Sequence, residues 1–116
     1  MEIGAQFYTI RDFCKNTDDF AESLKKVADI GYKNVQISGT CELDPEWLKN
    51  ELNKNGLKCV LTHTPSDKLL ADPADVARDH DIFGCKYVVL GWFDFNESSC
   101  DNFIKEYGPV ARALKN

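Results

Sequence analysis

Apolar residues recur along the chain in two alternating rhythms. At helical spacing stand Phe20, Leu24, Val27 and Ile30, then Trp47, Leu48 and Leu52, then Val76, Ala77 and Phe83, then Phe103, Ile104, Tyr107 and Val110. Between these sets lie short runs rich in β-branched or aromatic residues at 2–8, 34–38, 59–63 and 87–91, which read as strands. Helix starts are marked by Asn16-Thr17-Asp18, by Asp44-Pro45 and by Asp72-Pro73, and a fourth is expected near Ser98 or Ser99. Pro109 falls inside the fourth helical pattern, where a kink or break is expected. The order is β-α-β-α-β-α-β-α in one unit over residues 1–116, with no linker or low-complexity stretch. Helical crossovers of this length make parallel strands, joined right-handedly in nearly all cases.

An internal repeat supports this reading. Gly31-Tyr32-Lys33-Asn34-Val35, Gly56-Leu57-Lys58-Cys59-Val60 and Gly84-Cys85-Lys86-Tyr87-Val88 share G-x-K-x-V, with glycines 25 and then 28 residues apart. Each copy follows a helical pattern and opens a strand. Glycine suits the left-handed residue just past a helix, so each copy is an α-to-β junction and the period is that of a βα unit. The chain reaches Asn116 where a fifth strand is due, the expectation for a chain cut at a unit boundary or for half of a larger array.

Register across the repeats sorts the strand residues into two faces. Ala5 and Phe7, Val35 and Ile37, Val60 and Thr62, and Val88 and Leu90 are expected under the helices. Gly4, Gln6 and Tyr8, Asn34, Gln36 and Ser38, Cys59, Leu61 and His63, and Tyr87, Val89 and Gly91 are expected on the other face. A sheet covered by helices on both sides is apolar on both faces. One polar face instead fits a barrel lumen, and the predicted fold is an α/β, parallel (β/α)4 half of a TIM barrel, incomplete as a single chain. Its C-terminal mouth would be lined by Tyr8-Thr9-Ile10-Arg11, Ser38-Gly39-Thr40, His63-Thr64-Pro65 and Gly91-Trp92-Phe93.

Composition narrows the partners. A net charge of −5 argues against nucleic acid or an anionic membrane surface, and no apolar run reaches the roughly 18–20 residues of a membrane span. The N-terminal Met1-Glu2-Ile3-Gly4 lacks the features of a signal peptide. Cys14, Cys41, Cys59, Cys85 and Cys100 form no C-x-x-C pair and read as reduced, mostly buried thiols of a cytoplasmic protein. In that setting the sequon Asn96-Glu97-Ser98 is an accident of composition. No P-loop, G-x-G-x-x-G, H-E-x-x-H or G-x-S-x-G motif occurs, so nucleotide and triad chemistry have no support. A receiver domain needs acidic residues at the end of the first strand, where this chain has Tyr8-Thr9-Ile10.

The opening Ile3-Gly4-Ala5-Gln6-Phe7-Tyr8-Thr9-Ile10-Arg11-Asp12 resembles that of sugar phosphate isomerases/epimerases of the xylose-isomerase-like TIM-barrel superfamily. The segments 31–39, 56–63 and 83–88 resemble its second, third and fourth strands with their lead-ins, so the resemblance spans the chain as an N-terminal half. It implies a metal-assisted isomerase or epimerase that moves a proton beside a carbonyl of a small sugar or polyol. It also implies a divalent metal ion in the full-length family member. The family's metal ligands and glutamate bases lie mainly in the other half, so none is carried over and no metal ligand or catalytic residue is assigned here. Two departures stand out. Gln36 occupies a position where the family often has glutamate, and Gly91-Trp92 stands where the endonuclease branch has a histidine, which argues against that branch.

Candidate substrate-binding residues are Gln6, Tyr8, Arg11, Gln36, His63 and Trp92. For His63 a substrate hydrogen bond competes with a structural role, and for Gln6 and Gln36 substrate contact competes with an internal network. Tyr8 and Trp92 suit the C–H-rich face of a sugar or the core alike. Arg11 suits a phosphate or a loop salt bridge, and His80, between Asp79 and Asp81, reads as solvated or packed in its helix. Asp18-Asp19 and the Asp79/Asp81 pair read as helix-start and surface charges. The expected partners are a small sugar or sugar phosphate and a second copy, joined through the open face or the edge strands. The alternative is a non-catalytic half-barrel that serves as an assembly or ligand-binding module.

Overall fold

The computed structural model describes residues 1–94, 96 and 99–115. Four parallel strands form one sheet in the order β1-β2-β3-β4: β1 Gly4–Gln6, β2 Asn34–Ile37, β3 Lys58–His63 and β4 Val88–Val89. The helices are α1 Thr17–Ile30, α2 Pro45–Lys54, α3 Ser66–Ala71, α4 Pro73–Ile82 and α5 Ser99–Lys115. Sequential strand order with all strands parallel is a barrel's curl, but the sheet does not close, and β1 and β4 are its edges.

Local chemistry explains the boundaries. Asn16 caps α1 by accepting from the Asp19 amide at 2.9 Å, while Asp44 and Asp72 cap α2 and α4 ahead of prolines. The three repeat glycines all have left-handed φ, +115° at Gly31, +63° at Gly56 and +73° at Gly84, so the repeat is indeed a helix-exit signal. Ser99 opens α5, its hydroxyl bonded to the backbone of Asn96; Ser98, Glu97 and Asn116 lie outside the described residues.

The core lies between the sheet and the helices. Phe7, Phe20, Leu24, Val35 and Cys59 are almost wholly buried in one cluster under α1 and α2, and Leu69, Val76 and Val110 form a second under α3 to α5.

Four expectations need correction. The first strand ends at Gln6, and Phe7–Phe13 form a 3₁₀ helix instead. The fourth strand keeps only Val88 and Val89 of 87–91, as befits an edge with one partner. Cys59 faces the helices rather than the lumen, because a bulge pairs Val35 with Cys59 but Gln36 with Leu61, leaving Val60 as the extra residue. Pro109 does not break α5, which runs on through Val110 to Lys115 with Tyr107, Val110 and Leu114 held in the second core. The short helix α3 was not anticipated.

Candidate functional site

At the C-terminal ends of the strands a cleft of about 660 Å³ is lined by Gln6, Tyr8, Ser38, His63, Gly91 and Trp92, with residues of the β3–α3 turn. Four of the six sequence-derived candidates therefore share one cavity. Tyr8 is half exposed and Trp92 is 77% exposed, so both present aromatic surface to solvent at its rim. Gln36 stands behind, tied to His63. Arg11 is not among the lining residues: its guanidinium donates to the Tyr8 carbonyl at 2.9 Å and lies over the Tyr8 ring, 4.5 Å from the centroid. It thus braces the wall that Tyr8 forms.

His63 is the best-tethered group of the site. Its Nε2 is 2.8 Å from the Gln36 amide nitrogen and its Nδ1 is 3.0 Å from Ser38 Oγ. With the Gln36 amide oriented this way, the amide N–H donates to Nε2, so Nδ1 carries the proton and gives it to Ser38. Both ring nitrogens are engaged inside the protein, which fixes the ring between β2 and the cleft. Gly91 completes the seat, since a Cβ there would lie 2.9 Å from His63 Cγ and Nδ1. Sequence reading placed Ser38 on the same face as His63 but did not single it out. Gly91 was read only as a strand-end residue; its close approach to a ring depends on the tertiary fold.

A second imidazole lies on the helix side. His80 is buried, not solvated, with Nδ1 donating to the Val76 carbonyl at 2.7 Å and Nε2 accepting from Thr62 Oγ1 at 2.6 Å. Thr64 Oγ1 joins the chain 3.0 Å from Thr62 Oγ1. Burial lowers the His80 pKa from its usual value, against smaller opposing effects of the Val76 bond and of Asp79 and Asp81. Between that lowered value and the unfolded value near 6.5, the unfolded chain binds one more proton. Stability is therefore expected to be fully present above about pH 7 and to fall as the pH drops through 6.5, levelling off once the folded pKa is passed. Urea titrations at stepped pH check this: His80→Gln, which keeps an acceptor for Thr62, should flatten the slope, and an unchanged slope would refute the assignment.

Among the described residues no three His, Cys, Asp or Glu side chains converge in a way that could hold a metal ion. The donor set of the described residues does not fit a divalent cation. Among the described residues no helix is long and apolar enough to cross a membrane.

Four parallel strands, each followed by helix, an unclosed sheet and a polar cleft at the strand C-termini define a parallel (β/α)4 half of a TIM barrel. Solved structures give that class a more particular likeness. A sugar phosphate isomerase/epimerase from Parabacteroides distasonis matches with a TM-score of 0.74 at 22% identity, over 98% of this chain and 50% of its own. A xylose isomerase domain containing protein from Salmonella typhimurium matches at 0.60 and 14%, over 96% and 46%. An AP endonuclease, family 2, from Brucella melitensis matches at 0.63 and 16%, over 99% and 52%. The chain thus has the xylose-isomerase-like fold and spans about half the length of these proteins, consistent with an N-terminal half. No family model and no curated protein sequence matches it.

Proposed function

We propose that this half-barrel forms the substrate-side wall of a sugar or sugar phosphate isomerase/epimerase-type site, completed by a second copy of the chain. The carrying observation is the cleft itself, where amide, imidazole and hydroxyl groups meet two exposed aromatic faces at the strand C-termini. Sugars are held by such combinations: rings cover C–H faces and amides bond the hydroxyls. Gln6 and the outer edges of Tyr8 and Trp92 would meet the substrate, while Gln36 and Ser38 hold His63 in place. The fold is shared with an endonuclease too, but Gly91-Trp92 and the acidic net charge favour the sugar reading. A second copy brings the same side chains, so a barrel completed by it would bind the sugar, and metal-assisted proton transfer would need ligands and bases from a different second half.

A second copy fits the open side because β1 and β4 are both unpaired parallel edges and one chain spans half of each similar structure. Rotated about the barrel axis, the copy sets its β1 beside β4 and its β4 beside β1. Light scattering is expected to give twice the chain mass, and calorimetry with sugar phosphates to give binding that Trp92→Ala weakens. A monomer would refute the self-completed barrel. A dimer without sugar binding would favour the assembly module, a reading supported by Gln36, an amide bonded to His63 in place of a carboxylate base.

A further inference from the structure

His63 receives a hydrogen bond from Gln36 and passes one to Ser38, so the three side chains form a chain with a direction. The Gln36 amide nitrogen, 2.8 Å from His63 Nε2, can only donate, so Nε2 accepts and the single proton of the neutral ring sits on Nδ1. Nδ1 then donates to Ser38 Oγ at 3.0 Å. Ser38 gives the ring a lone pair and keeps its own O–H. The residue follows β2 directly, is 3% exposed and lines the cleft. Among the described residues no acceptor receives its hydroxyl hydrogen. A buried donor without an acceptor is destabilising, and a ligand oxygen in the cleft would relieve it.

The charges around the cleft limit which molecule brings that oxygen. No lysine or arginine is among the described residues that line it, and Asp67 is the one charged side chain there. Two cations on neighbouring segments are engaged elsewhere: Arg11 bonds to the Tyr8 carbonyl, and Lys68 pairs with Glu42 at 2.6 Å. A phosphate group would enter facing a carboxylate and without a counter-ion.

We propose that the cleft selects an uncharged sugar over its phosphate ester, with the Ser38 hydroxyl donating to a sugar oxygen. This rests on reading the cleft as a sugar site. Ser38 is then a binding residue, and Gln36 and His63 are positioning residues that act through it. Residue 36 sets the direction of the chain. A carboxylate there would accept from Nε2, draw the ring proton to that nitrogen and make Nδ1 the acceptor of the Ser38 hydrogen. Both tethers on the ring would survive, but no hydrogen would be left for the sugar. That change therefore separates Ser38 as donor from Ser38 as support.

The test is nitrogen-resolved NMR of the histidine rings in the whole chain at mildly alkaline pH, with titrations of D-fructose and D-xylulose, each beside its phosphate ester. The His63 proton is expected on Nδ1. The free sugars are expected to shift that resonance and to bind about fivefold or more tightly than the esters. Ser38→Ala should weaken free-sugar binding about three- to tenfold, the usual contribution of one hydrogen bond. Gln36→Glu, read where the ring is neutral and protonated on Nε2, should weaken it by the same factor. A proton on Nε2 in the unsubstituted chain, esters bound as tightly as free sugars, or full affinity in Gln36→Glu would each overturn the proposal and leave a sugar site standing. Binding of neither form would overturn the sugar site itself, and the proposal with it. The unsubstituted chain decides both the proton position and the preference for free sugar even if a variant fails to fold.

Discussion

Phe20→Ala is expected to cost about 3–5 kcal/mol, the loss of transfer energy plus the cavity left by a fully buried aromatic ring. Phe20 is 0% exposed and sits between two rings, edge-on to Phe7 with centroids 5.2 Å apart and tilted against Trp47 at 6.2 Å. Small domains hold about 5–15 kcal/mol in total, so the variant would forfeit a large share of its margin. The effect reaches the site through the chain. Phe7 directly follows β1 and opens the 3₁₀ turn that carries Tyr8, so the Phe7–Phe20 contact sets where the cleft wall begins. Urea denaturation with unchanged slope and a much lower midpoint is the expected result. Ile104→Ala, at a position 66% exposed on α5, should change stability by about 0.5 kcal/mol or less. Equal losses in the two variants would mean that the α1–α2 cluster is not the core.

The frame of the molecule was legible in the sequence because its signals are local. A cap, a proline at the first helical position and a glycine at the exit act within one turn, so Asn16, Asp44-Pro45 and the repeat glycines located helices without tertiary information. What escaped is what one strand does to another. The bulge opposite Val35 and Gln36 inserts a single residue into β3, which no periodicity reveals, and it turns Cys59 from the lumen to the core. The run after Gln6 has strand-like composition, yet it coils into a 3₁₀ helix whose Phe7 side chain is taken up by α1 and whose Arg11 bonds back to Tyr8. His80 shows the same limit. Its acidic neighbours suggested solvent as readily as packing, and only the arrival of Thr62 from β3 explains why the ring is buried.

The candidate site was legible as a face but not as a network. Alternation placed Gln6, Gln36, Ser38 and His63 together, and four of the six chosen residues line one cleft. The bonds from His63 to Gln36 and Ser38 join residues 27 and 25 apart in sequence, so they follow from strand register alone. That register turns a sugar-binding candidate into a tethered imidazole. Of the six candidates, Gln6, Tyr8 and Trp92 line the cleft without a bond to His63.

Gly91→Ala should damage that tether while leaving the core intact. The added methyl would lie 2.9 Å from His63 Cγ and Nδ1 and 3.4 Å from its Cβ, closer than carbon atoms tolerate. The ring cannot retreat freely, because Gln36 holds one nitrogen and Ser38 the other. Either those bonds stretch or the strand end beyond Val89 moves out, and both routes cost about 1–3 kcal/mol by the usual measure of overpacking. Nitrogen-resolved NMR separates them: displaced His63 ring and Gln36 amide resonances mark the first route, and changes confined to the amides of 88–92 mark the second. Under the first route Gly91→Ala and Ser38→Ala should be non-additive, since each removes the same restraint on the ring. Unchanged stability together with unchanged resonances would show that Gly91 does not press on His63, and the seat of the imidazole would have to be sought in Gln36 and Ser38 alone.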